Sequence, residues 1–367
     1  MLTESYTMKY PIVRPVLPSS SGYFSRLEQV FASRWLTNSG PMQQELEARL
    51  ADYLGVKYLL LVSNGTLALQ VAYKALGLGP QVLTTPFSFA ATASSLVWQQ
   101  HQCQFVDIDR HSFNIDPNAI TEQQWQQADG LVATHVFGNP CAVESLAAKA
   151  QQTKTKLIYD AAHAFGCQYQ GQSLLNYGDA STLSLHATKI FHTVEGGAIV
   201  FKHEQDWLTA KQLINFGFDG QQYPELVGIN SKMSEVHAAM GLALFEQIET
   251  IQQQRCQSVA DYQHHLSGVV EFQHWCSHSH NNGAYMPILL ADEGQLLRVM
   301  AHLQHKGIQT RRYFYPSLSQ VPCYGRQGDT PIANRISQRV LCLPLYYGLE
   351  RQDIRVITQA VKEALRA

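Results

Sequence analysis

The sequence predicts an α/β protein: a mixed, mostly parallel sheet flanked by helices, followed by a smaller C-terminal α/β domain. Short apolar runs of strand length alternate with stretches of helical period through the first half of the chain. After Gly197 the alternation stops, and one long helical stretch, Ser234 to about Leu266, leads into segments of shorter period. The expected division is residues 1–245 for the large domain and 246–367 for the small one.

The elements follow in order. Gln43 to Leu54 carries Leu46, Leu50 and Leu54 at helical spacing, and Gly55 supplies a stop because glycine accepts the left-handed backbone that ends a helix. Tyr58 to Val62 is a continuous apolar run, read as a strand buried on both faces. Ser63 to Thr66 is the turn after it, and Leu67 to Leu76 reads as a helix. Val82–Thr85, Gln104–Ile108, Leu131–Thr134, Lys156–Tyr159 and Ala198–Phe201 repeat the strand theme. Such alternation builds βαβ units, and ligands then sit outside the carboxyl ends of the strands. A Pro/Tyr-rich stretch, Tyr313 to Tyr324, marks the smaller domain.

Composition narrows the function classes. The 367 residues suit two domains, and 45% hydrophobic content is that of a globular chain. A net charge of −2 gives no general attraction to nucleic acid or anionic membranes, so an anionic substrate needs local cations. The seven cysteines are scattered without a CxxC pair, which fits isolated thiols in a reducing cytoplasm. Met1 to Ser20 shows no apolar core of a signal peptide, and no run approaches the roughly 18 to 20 apolar residues of a membrane span.

Four strand-end features carry chemistry: Asp160 after Lys156–Tyr159, Lys189 with Ser184 before it, the Ser63–Thr66 turn, and Phe87 after the strand ending at Thr85. Taken singly they read as a cap, a solvated charge, a turn and a core aromatic. Together they meet the needs of pyridoxal 5'-phosphate. Its aldehyde needs a lysine amine, its ring nitrogen a carboxylate, its phosphate the amides and hydroxyls of a helix N-terminus, and its ring an apolar face.

These residues lie in longer segments that resemble the DegT/DnrJ/EryC1/StrS family of sugar aminotransferases. The segments are Trp35 to Pro41, Ser63 to Leu69, Phe87 to Thr92, Phe105 to Asp109, His135 to Pro140, Asp160 to Gly166, Ser184 to Gly197 and Gly228 to Met233. The resemblance implies the aspartate-aminotransferase-like fold, type I of the pyridoxal-phosphate enzymes. It implies that Lys189 is the Schiff-base lysine and proton carrier and that Asp160 pairs with the ring nitrogen. Gly65, Thr66 and Ser184 would hold the phosphate and Phe87 would cover the ring. Asn230 would reach the phosphate of the partner subunit in a homodimer with shared active sites. The family's usual glutamine three residues after the aspartate is His163 here. An imidazole can donate the same hydrogen bond, stack on the ring, or shift the pH response of the cofactor–lysine bond. The segment Gly77 to Val82 is shorter than the family's loop, which implies a shorter surface connection.

The implied reaction is a ping-pong transfer from L-glutamate to a nucleotide-linked keto sugar. The segments around Asp160 and Lys189 are similar to members that act on dTDP-4-keto-6-deoxy-D-glucose, giving dTDP-4-amino-4,6-dideoxy-D-glucose for surface polysaccharide such as O-antigen. Candidate substrate residues are His186, Lys232, Arg311, Tyr313 and Tyr315, with arginine suited to pyrophosphate and aromatics to base or sugar. The alternatives are a 3-keto sugar substrate and a non-catalytic regulator that keeps the cofactor. A dehydratase of this family would carry histidine where Lys189 stands.

Overall fold

The computed structural model describes residues 8–220, 223–324 and 328–366. The first residues of the stretch read for a leader, Met1 to Thr7, lie outside them. Among the described residues eleven strands form: β1 (Tyr58–Val62), β2 (Gln81–Thr84), β3 (Gln102–Phe105), β4 (Gly130–Thr134), β5 (Lys156–Asp160), β6 (Gln168–Tyr169), β7 (Gln172–Ser173), β8 (Ala180–Ser184), β9 (Gly197–Phe201), β10 (Pro287–Leu289) and β11 (Val340–Cys342). Seven make the main sheet, in the order β1-β9-β8-β5-β4-β2-β3. The β8–β5–β4–β2–β3 pairings are parallel, and β9 alone runs against both its neighbours. The sheet is mixed and mostly parallel, as expected.

Alternate residues along each strand face opposite layers. Leu59 and Leu61, Leu131 and Ala133, Leu157 and Tyr159 pack into one core, beneath the helices Pro41–Leu54, Val143–Thr153 and Glu235–Phe245. Leu60 and Val62, Val132, and Ile158 pack into the other, beneath Gly65–Ala75, Ala90–Trp98 and Glu204–Leu213. Covering both faces is what makes these strands read as unbroken apolar runs. A further core gathers β10 and β11 with the helices Ile248–Leu266, Glu293–His305 and Arg351–Arg366.

Three sequence expectations change. The strand placed at Gln104–Ile108 is Gln102–Phe105, because its register with β2 begins at Gln102. Beyond it, Asp107 leaves the sheet to accept bonds from the amides of Ile332 and Ala333, opening the helix Pro331–Arg339. The single helix from Ser234 to Leu266 is two, broken where Gln247 sits at φ −114°, ψ 1°. The first piece is buried on nearly every side against Ser20–Ser33 and Pro41–Leu54. The second buries one stripe against Arg351–Arg366, so one straight axis cannot serve both. Asp160 is the last residue of its strand rather than the first beyond it. The helix Pro41–Leu54 does end on Gly55 with φ 63°.

Candidate active site

The carboxyl ends of β1, β5 and β8 open onto a cavity of about 350 Å³. At its back is the buried carboxylate of Asp160. Its strand is pinned at that point: the His135 amide donates to the Asp160 carbonyl at 3.1 Å, and the Ala161 amide donates to the Thr182 carbonyl at 2.9 Å. Oδ2 accepts from Thr92 Oγ1 at 2.6 Å, and Oδ1 accepts from the Ala162 amide at 3.1 Å. Burial pushes this carboxyl above its ordinary range, while those two bonds and the Lys189 amine pull it back.

Lys189 sits on the loop between the antiparallel strands β8 and β9. Backbone bonds close that loop at its base, Leu185 to the Gly196 carbonyl at 2.8 Å and Thr193 to the Leu185 carbonyl at 2.9 Å. The lysine's own amide closes a turn onto the His186 carbonyl at 2.9 Å. Its amine donates to the Tyr285 hydroxyl at 3.2 Å. Removal from water lowers the amine's pKa, opposed by the negative charge of Asp160.

One wall is the start of the helix Gly65–Ala75. Asn64 caps it, accepting from the Leu67 amide at 2.8 Å. The amides of Gly65 and Thr66 have no carbonyl one turn earlier to bond, so this end of the helix presents donors and a positive dipole. A Cβ on Gly65 would meet that of Ser184 at 3.0 Å, and one on Gly197 would meet the Asn64 carbonyl oxygen at 2.5 Å. Glycine at both positions lets strand and turn close into a small cradle.

His163 is buried, and its Nδ1 accepts from the Phe137 amide at 3.2 Å, which leaves the proton of the neutral ring on Nε2. Its ring stacks on Phe314 with centroids 5.7 Å apart and meets Tyr285 edge-on at 4.7 Å. Burial and the nearby lysine hold its pKa well below the histidine range.

The cavity therefore brings together Gly65, Thr66, Asp160, His163, Ser184, His186, Lys189, Arg311 and Tyr313 from the residues singled out in the sequence. Phe87 is placed elsewhere, in the core behind the cavity. Its side chain is 0% exposed, packed edge-on against Phe113, Phe137 and Phe314, and it does not line the cavity. Phe89 lines it instead, 51% exposed at the N-cap of Ala90–Trp98. The sequence singles out Phe87 as the aromatic after the strand; the chain bends at Ser88 to enter a helix, so Phe87 and Phe89 part company. Lys232 and Tyr315 lie outside the lining of this cavity. Lys232 donates to Asn215 Oδ1 at 2.8 Å beside a second hollow, and the exposed Tyr315 ring lies under the Arg312 guanidinium at 3.3 Å. Asn230 is exposed outside the chain's own cavity. The sequence reading missed Tyr285, Thr92 and Ser88; only the i, i+4 spacing of the two hydroxyls offered a signal. Among the described residues no cluster of three or more His, Cys, Asp or Glu is placed to hold a metal, and no helix is long and apolar enough to cross a membrane.

The donor set suits a flat, phosphorylated aldehyde. An amine kept from full hydration, a buried carboxylate held by hydroxyl and amide, and a glycine cradle at a helix N-terminus stand around one space. Fold and site thus define a pyridoxal-phosphate-dependent α/β transferase. The chain belongs to the DegT/DnrJ/EryC1/StrS aminotransferase family, whose family model matches residues 21–362. It is 38% identical to a dTDP-4-amino-4,6-dideoxy-D-glucose transaminase of Shigella dysenteriae, over 96% of this chain and 98% of that one. It is 34% identical to the transaminase of the same name from Escherichia coli, over 95% and 97%. Among solved structures it superposes on DesI in the presence of its TDP-sugar product, with a TM-score of 0.90, 32% identity and coverage of 98% of this chain and 93% of that one.

Proposed function

We propose that this enzyme moves the amino group of L-glutamate onto C4 of dTDP-4-keto-6-deoxy-D-glucose, giving dTDP-4-amino-4,6-dideoxy-D-glucose for surface polysaccharide such as O-antigen. The observation that carries the transferase reading is the meeting of the Lys189 amine and the Asp160 carboxylate in one cavity with the Gly65–Thr66 helix start. The sugar rests on full-length similarity to two transaminases named for that product.

When bound, pyridoxal phosphate supplies the aldehyde that takes up the amino group and the ring that accepts electrons from the substrate carbon. Asp160, ionised with the help of Thr92, would stand at the ring nitrogen. Gly65, Thr66 and Ser184 would hold the phosphate, Phe89 would cover the ring in place of Phe87, and His163 would donate through Nε2 to the ring hydroxyl. Lys189 moves the proton, with an amine whose lowered pKa brings it toward working pH. At the mouth, His186, Arg311 and Tyr313 are the groups available to substrate, and Arg311 provides the cation for a carboxylate or pyrophosphate.

The working unit in this reading is a cytoplasmic homodimer. Phe24, Phe31 and Val227 are exposed apolar residues that a second copy would cover, and Asn230 lies free to reach a partner's site.

The purified protein, given L-glutamate and a panel of dTDP- and UDP-linked keto sugars, should release 2-oxoglutarate and aminate the 4-keto dTDP sugar, as read by NMR of the product. Amination at C3 rejects the assigned position, and no turnover on any nucleotide sugar rejects the substrate class. Lys189→Ala should abolish turnover, and full activity in that variant would end the aminotransferase mechanism drawn here.

A further inference from the structure

A buried cation, Arg255, stands behind the site with no role in the chemistry described so far. Among the described residues no carboxylate forms an ion pair with it. Burial lowers its pKa yet leaves it charged at neutral pH. Burying a charge without a counter-charge is costly, so its hydrogen-bond partners show what it holds. Nε donates to the Gly283 carbonyl at 2.7 Å, and an Nη donates to the Ala284 carbonyl at 2.9 Å. Gly283 sits at φ +72°, and a Cβ there would meet Arg255 Cβ at 2.7 Å, so only glycine lets the two segments approach this closely.

The same segment is tied from its other side. Asn282 Nδ2 donates to the carbonyls of His163 and Phe165 at 2.8 and 3.1 Å, on the loop that follows Asp160. The next residue after Ala284 is Tyr285, whose hydroxyl meets the Lys189 amine at 3.2 Å. Its ring is wedged between His163, Phe137 and Tyr313. The phenol is therefore aimed at the lysine by two clamps, one of them a buried cation.

We propose that Tyr285 is a further catalytic residue, whose hydroxyl holds the Lys189 amine in both its proton states, and that Arg255 is the residue that positions it. The inference rests on the reading of Lys189 as the proton carrier. Burial keeps the phenol neutral, so it accepts from the ammonium and donates to the lone pair of the free amine. As a proton passes from the substrate carbon to Lys189, Tyr285 reverses the sense of its bond and neither gains nor loses a proton overall. The groups facing this pair are Asp160, His163, Tyr313, Cys342, Arg255 and Arg311.

The test uses Tyr285→Phe in the cofactor-loaded enzyme and in the cofactor-stripped full chain. In single turnover with L-glutamate the rate should fall about tenfold or more, the loss expected for one hydrogen bond to a charged group. The isotope effect with α-deuterated glutamate should rise, while melting temperature and cofactor content stay at wild-type values. In the stripped chain at alkaline pH, acylation of Lys189, followed by mass spectrometry, should become faster because its lone pair is released. A turnover rate within about twofold of wild type overturns the role, and so does a rate loss matched by lost cofactor. Arg255→Lys should slow the same step and add nothing to Tyr285→Phe in the double variant; additive losses overturn the positioning role. If Arg255→Lys does not fold, Arg255→Gln takes its place in that comparison. Wild-type enzyme inert toward L-glutamate would refute the aminotransferase reading instead, a failure separate from this one.

Discussion

Thr92 and Asp160 share a fully enclosed hydrogen bond of 2.6 Å, donated by the threonine hydroxyl to the carboxylate. That bond spends the only proton of Thr92. Ser88 must therefore donate to Thr92 at 2.7 Å, and Thr134 to Ser88 at 2.9 Å. The hydroxyls form a directed chain, each donor pointing toward the carboxylate. Burial pushes the Asp160 carboxyl upward, and the Thr92 bond at the end of this chain opposes that rise.

Thr92→Val removes the last link. A lost hydrogen bond to a charged group is worth roughly 1.5–3 kcal/mol, so activity should fall about tenfold or more. The direction with pH follows from the carboxyl's rise: the anion fraction drops first on the acid side, so the deficit should widen as pH falls. A pH–rate profile checks this, and a curve parallel to wild type at every pH would remove the chain from the account.

Phe87 and Phe89 separate packing from cofactor contact. Phe87→Ala empties a fully buried site and should cost about 3–5 kcal/mol of stability in urea unfolding. Phe89→Ala, at the exposed cavity wall, should change stability by no more than about 0.5 kcal/mol. It should nevertheless weaken cofactor retention about fivefold, the scale of one aromatic contact. If dialysis strips cofactor from the Phe87 variant faster than from the Phe89 variant at equal folded fraction, the reassignment is wrong.

His163 is held neutral by burial, with its Nε2 proton available to donate. It would therefore act on the cofactor–lysine bond through a hydrogen bond rather than through its own titration. His163→Gln should keep the midpoint of the cofactor absorbance-versus-pH curve while altering cofactor affinity. A midpoint displaced by about one unit or more would mean that the imidazole does ionise there.

What the sequence disclosed follows from where the information is local. Asp160 and Lys189 were legible because each stands at the end of a recognisable strand or in a distinctive segment, and the parallel sheet carries both ends to one edge. Strand β8 was not legible, because Ala-Ser-Thr-Leu-Ser has no apolar run; it is buried by its pairing with β5 and β9. Tyr285 follows an Asn-Asn-Gly-Ala stretch that reads as a turn, and only the bonds of Arg255 and Asn282 aim it at Lys189. The break at Gln247 depends on two packing partners distant in sequence, so its helical pattern alone could not show it.

His135 gives the acid response of the fold. It is fully buried, stacked on Tyr159 at 4.4 Å, and its Nδ1 accepts from the Cys141 amide at 3.1 Å. Burial pushes its pKa from 6.5 down to about 3. Between those values the unfolded chain binds a proton that the folded chain refuses. Stability present above pH 6.5 is therefore lost as pH falls toward 3. The slope from one such group is about 1.4 kcal/mol per pH unit. His192 and His163, both lowered by burial, act in the same sense, so the wild-type slope should exceed that of one residue. His135→Asn keeps a side-chain acceptor for Cys141 and removes the titration. Its stability at neutral pH should be lower, yet its denaturant-derived free energy should fall less steeply with acid, by about 1.4 kcal/mol per pH unit between roughly pH 6 and 4. Equal slopes for variant and wild type would show that His135 is already protonated in the native protein or reaches water before the fold gives way.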